Sequence, residues 1–122
     1  MQSVLQKYSF NGVTLWKLDS EAAIDALRSC AMSLIGARDD VAKVILFGSL
    51  AKGNAVPGSD ADVLILLEQS SEPNWFGRIE EFEDYFEGIG IAIELFPYTR
   101  EEIERINLAQ TAMKEGIILS SK

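Results

Sequence analysis

The chain has 122 residues, a net charge of −8 and 48% hydrophobic residues, enough for one domain with a modest core. Such acidity argues against direct nucleic-acid binding, because affinity for a phosphate backbone comes largely from Lys and Arg. Histidine is absent, which excludes His-dependent triads and HExxH zinc sites.

No apolar run approaches the roughly 18 residues that a membrane span needs. The opening MQSVLQKYSFNG lacks a basic flank followed by an apolar block, and Cys30 has no second cysteine to pair with. A cytoplasmic protein is the expectation.

The elements follow in order. Residues 7–18 alternate apolar and polar on either side of Asn11-Gly12, a hairpin signal. Trp16 within it reads as a core or interface anchor. Asp19 or Ser20 opens a helix whose apolar face carries Ile24, Leu27, Ala31, Leu34 and Ile35, and Gly36 ends it. Asp39-Asp40 is a solvated turn before the next strand.

Residues 41–47 and 63–67 are short apolar runs bounded by turn residues, which predicts buried strands. Between them lie Gly48-Ser49, the Val56-Pro57-Gly58 turn, and Ser59-Asp60-Ala61-Asp62. Alternation on a strand puts Asp60 and Asp62 on one side, with Ala61 facing away. Two carboxylates held side by side repel, and one takes up a proton unless a cation separates them. Paired hard oxygen donors suit Mg²⁺, which fills its other positions with water and phosphate oxygens. A glycine after a strand lets backbone approach a ligand closely, and free N–H groups at a helix start favour anions. Together these residues describe a metal–triphosphate site.

Downstream, Pro73 suits a first helical position, and Trp75, Ile79, Phe82 and Phe86 recur at helical spacing among acidic residues. One amphipathic helix over 73–87 is expected, stopped by Gly88-Ile89-Gly90. Residues 91–97 then form a strand in which a single carboxylate, Glu94, interrupts the apolar run. A lone acid there is costly unless it has a partner. Thr99-Arg100-Glu101-Glu102 is a capping box opening a helix over 99–115, closed by Gly116. Ile117-Ile118-Leu119 returns as an extended tail against the core. The expected fold is α/β (α+β): one domain over 1–122, with a small mixed β-sheet centred on 41–47, 62–68 and 91–97. Its helices would pack mainly on one face.

Gly48-Ser49, ten intervening residues, then Asp60-Ala61-Asp62 resembles the signature of the polymerase-beta-like nucleotidyltransferases, especially their minimal members. Ala51, Gly53 and Ser59 agree with the pattern, while Lys52 stands where Arg is frequent and Asn54 is uncommon. The resemblance spans roughly Ala22 to Leu119. It implies a palm-like sheet and Mg²⁺-dependent transfer of a nucleoside monophosphate from a nucleoside triphosphate to an acceptor hydroxyl.

On that resemblance Gly48 and Ser49 hold the β- and γ-phosphates, and Ser59 belongs to the nucleotide site. Lys52 either contacts a phosphate or sits in solvent. Asp60 and Asp62 bind metal, and Glu94, one methylene longer than the usual Asp, is the third ligand and base of a two-metal site. The alternatives are a non-catalytic nucleotide-binding or antitoxin-type module holding a helical partner of the HEPN type, or an aminoglycoside-like small-molecule nucleotidyltransferase. Nothing in 122 residues is left over to grip an acceptor, so a helical protein partner or a second copy is expected to complete the site.

Overall fold

The computed structural model describes residues 4–122. Strands β1 (Leu5–Phe10) and β2 (Val13–Leu18) pair antiparallel in a sheet of their own. Asn11 and Gly12 both take positive φ, 49° and 78°, as a tight hairpin turn demands. The expected hairpin is present and starts two residues earlier. Trp16 is no core anchor: it is 55% exposed, because the arm stands away from the body.

The main sheet holds β3 (Val41–Phe47), β4 (Ala61–Leu67), β5 (Ile93–Thr99) and β6 (Ile117–Ser121) in the order β5-β4-β3-β6. β4 and β6 run antiparallel to β3, and β5 runs parallel to β4. The sheet is therefore mixed, as expected. Its third anticipated strand begins at Ile93 rather than Ile91 and lies at an edge rather than in the centre. The extended tail at Ile117–Leu119 is a full strand.

Helix α1 (Ser20–Ala37), capped by the Asp19 carboxylate accepting from the Ala22 N–H at 3.0 Å, covers one face. Ala23, Leu27, Ala31 and Leu34 pack there on Val44, Leu46, Val63, Ile65 and Leu95. The other face is also covered, so packing is less one-sided than expected. There Ile45, Leu64, Leu66 and Tyr98 meet Ile103, Ala109 and Ala112. These come from α4 (Arg100–Ile103) and α5 (Asn107–Glu115).

Two anticipated helices are broken. The segment 73–87 is α3 (Trp75–Arg78) followed by 3₁₀ turns at Ile79–Glu81 and Glu83–Phe86. Its cap is Asn74, whose Oδ1 accepts from the Phe76 N–H, so Pro73 lies outside the helix. Trp75 stacks with Phe96 on the second face, whereas Phe82 and Phe86 join the core of the first. A straight helix cannot serve both faces, so the chain winds tighter as it wraps the β5 edge.

Arg78, 2% exposed, pins this wrap. It donates to the carbonyls of Glu72 and Pro97 and makes two bonds to the Glu102 carboxylate, the shorter 2.6 Å. The expected helix over 99–115 likewise splits into α4, with the anticipated Thr99–Glu102 capping box, and α5. The Gln110 amide donates to the carbonyls of Ile103 and Glu104 at the break. Among the described residues, no helix is long and apolar enough to cross a membrane.

Candidate active site

The site grows from the ends of β3, β4 and β5 on the second face. Phe47 pairs with Asp62 across the antiparallel ladder, and Asp62 with Glu94 across the parallel one. Residues opposite one another in adjacent strands point to the same side. Thus the lone acid of β5 meets the acid of β4, close enough for each carboxyl to act on the other.

Burial, the neighbouring Glu94 carboxyl and the charge of Asp60 together push the Asp62 carboxyl up to about 6. Two carboxyls that raise one another's cost of ionising mark a place where a cation can settle. Asp60 lies just before the strand, exposed, and adds negative field. Hard oxygens in this number suit Mg²⁺, which needs only one or two carboxylates from the protein. Among the described residues no group of three or more Asp, Glu or Cys side chains converges closely enough to hold a metal ion. The side chains form a pair with a neighbour, rather than one three-ligand cluster.

Gly48 fits this pair closely. Its φ is 79°, and a Cβ there would collide with the Asp62 carboxylate. Conformation demands glycine here, and any side chain would have to push the Asp62 carboxylate aside. Ser49 opens the short helix α2 (Ser49–Lys52), which Gly53 ends in the left-handed conformation. Lys52 is exposed and, with Phe47, Gly48, Ala51 and Asp62, lines a cavity of about 200 Å³.

Ser59 is engaged elsewhere: its hydroxyl accepts from the Val56 N–H at 3.0 Å and closes the 56–59 turn. The fold thus brings together Gly48, Lys52, Asp62 and Glu94, sets Asp60 alongside, and leaves Ser59 in the turn. The far wall of the cavity went unnoticed in the sequence. Leu108, Thr111 and Glu115 of α5 supply it, with Gly116. Leu108 is 46% exposed on a helix whose Ala109 and Ala112 are buried.

Strands ending in a carboxylate pair beside a glycine-led helix form a nucleotidyltransferase-type fold, and the comparisons with known proteins bear on that fold. Residues 31–119 match the model of the nucleotidyltransferase domain family, and the chain belongs to that family. Its fold is similar to that of a presumed nucleotidyltransferase from Sulfolobus solfataricus (TM-score 0.63, 16% identity, 84% of each chain covered). It is also similar to a chain of a toxin–antitoxin structure with AMP-PNP (TM-score 0.54, 19% identity, 86% of this chain and 75% of that one). No curated protein matches the sequence.

Proposed function

We propose that this chain binds a nucleoside triphosphate, probed most simply with ATP, together with Mg²⁺, and transfers its nucleoside monophosphate to an acceptor hydroxyl, breaking the α–β phosphoanhydride bond and releasing pyrophosphate. The observation that carries the reading is the Asp62–Glu94 carboxyl pair abutting Gly48. The Gly48 backbone and Ser49 hold the terminal phosphates, and Lys52 offers a flexible positive charge beside them. The Asp62–Glu94 pair would hold the metal, with Asp60 adding negative charge alongside. When bound, Mg²⁺ neutralises triphosphate charge and orients the reacting phosphorus. Glu94, at the outer side of the pair, accepts the acceptor hydroxyl's proton.

Calorimetric titration with ATP tests the site. Binding should require Mg²⁺ and be lost in Asp62→Asn. Equal binding in EDTA removes the assignment. Glu94→Gln should keep much of the nucleotide affinity while losing transfer, which separates an enzyme from a holding module.

The likeness to a chain of a toxin–antitoxin structure favours a second element of the reading, namely that the acceptor is presented by a protein partner. The small cavity at Leu108 leaves little room for a separate acceptor beside the nucleotide. Incubation with radiolabelled ATP and a co-purified helical protein should label that protein or yield a stable complex. Rapid transfer by the isolated chain to aminoglycosides would instead make it a small-molecule enzyme.

A further inference from the structure

The β1–β2 arm is built unlike the rest of the molecule. Only its root is anchored, by Val4 (2% exposed), Leu18 (7%) and the Asp19 N–H donating to the Val4 carbonyl. The ladder places Tyr8 opposite Leu15 and Phe10 opposite Val13, so these four side chains share one face. Each is between 48% and 73% exposed. A two-stranded ribbon with an uncovered apolar face is marginal in water and gains stability from a surface to lie on.

The arm is also electrically distinct. Residues 5–18 carry Lys7 and Lys17 and no acid, on a chain whose net charge is −8. Lys17, paired with Gln6, stands on the same face as the four apolar side chains. Its partner surface should therefore be apolar within and acidic at the rim.

This chain has such a surface. A cleft of about 460 Å³ is floored by Phe86, Ile89, Ile91 and Leu95 and rimmed by the exposed Glu83 and Glu87. It adjoins the root of the arm, since a Cβ on Gly90 would lie 3.3 Å from the Val4 side chain. Arm and cleft are neighbours on one surface, which a two-fold dimer requires because both copies use the same patch.

We propose that two copies associate by exchanging arms. The Tyr8–Leu15 and Phe10–Val13 face of each lies over the other's Phe86–Leu95 cleft, and Lys17 meets Glu83 or Glu87. Two arms with the surfaces they cover come to roughly 1,600 Å², the size of a standard specific interface. The pairing leaves the Asp62–Glu94 site open, because Ile93 and Leu95 face away from Glu94 on the alternating strand.

Sedimentation velocity on the full chain at about 100 µM, well above a micromolar dissociation constant, should give twice the 13.5 kDa of one copy. Phe10→Asp with Leu15→Asp should return it to 13.5 kDa with an unchanged circular-dichroism spectrum, since neither side chain touches the core. Glu83→Lys with Glu87→Lys should do the same, and adding Lys17→Glu should restore the dimer. A monomeric wild type overturns the proposal and points to a different chain as occupant. A dimer indifferent to Phe10→Asp and Leu15→Asp overturns it as well.

Discussion

The two faces of the main sheet are built on different terms. Under α1 the contacts are those of a plain apolar core: Leu27, Leu34, Val44, Leu46 and Val63 are at or near zero exposure. The opposite face carries aromatic pairs, a buried arginine, two short helices and the carboxylates of the site. The first face supplies stability without shaping a ligand. The second supports the site with groups that must be paired to be tolerated, so its stability depends on pH and charge.

The largest expected effects test that division. Leu34→Ala, in the first face, should cost about 3 kcal/mol in urea unfolding, from lost burial plus the cavity left behind. The folded fraction should keep its ATP affinity. Altered affinity would show that the faces are coupled.

Glu102→Ala, behind the second face, should cost a similar amount, about 3 kcal/mol, because Arg78 then stays buried without its carboxylate. Here pH matters. The Arg78 side chain, with help from Thr99, holds the Glu102 carboxyl below its usual range. The pair's contribution is therefore present above the ordinary carboxylate pKa and lost as pH falls through the folded value. Unfolding curves at descending pH should converge for wild type and Glu102→Ala. Parallel curves would mean that the bond is not what Glu102 contributes.

Asp62 should behave in the opposite sense. Its folded pKa, about 6, lies above the ordinary 3.8, so the folded state binds the extra proton between those values. Without metal, stability should fall as pH rises through that window, by about 1 kcal/mol once solvent screening is allowed for. Asp62→Asn should flatten the profile and leave the protein at least as stable at pH 7 in EDTA. The smallest effect is expected at Arg100, which pairs with Glu68 in full solvent at 2.6 Å. Arg100→Ala should leave the midpoint unmoved within error.

What could be read from the sequence was local. Asn11-Gly12, the 41–47 and 63–67 strands and the Thr99–Glu102 box each carry their own signal within a few residues. The site was legible in the same way: Gly48 follows a strand, and Glu94 stands alone among apolar residues. Hidden were features created by distant partners. Nothing between Pro73 and Glu87 says that Trp75 belongs to one face and Phe82 to the other; the β5 edge decides that. Ser59 matched a pattern, yet its hydroxyl is taken by Val56, a choice that turn geometry makes. Leu108 and Glu115 reach the cavity only once α5 is laid across β3.

The strand order has a consequence for how the molecule is made. β3 acquires β4 on one side soon after both are synthesised, but its other neighbour is β6, whose Ile117 and Ile118 pair with Leu46 and Ile45. Until the ribosome has released that segment, β3 presents an open edge to the crowded cell, a template for wrong pairing. Gly116 adds a fitting condition at the same point, because a Cβ there would strike Ile45 and the carbonyls of Leu46 and Ala112. Of the four strands β6 is the last to be made, and Gly116→Ala should show as aggregates in a translation reaction before it shows in the purified protein.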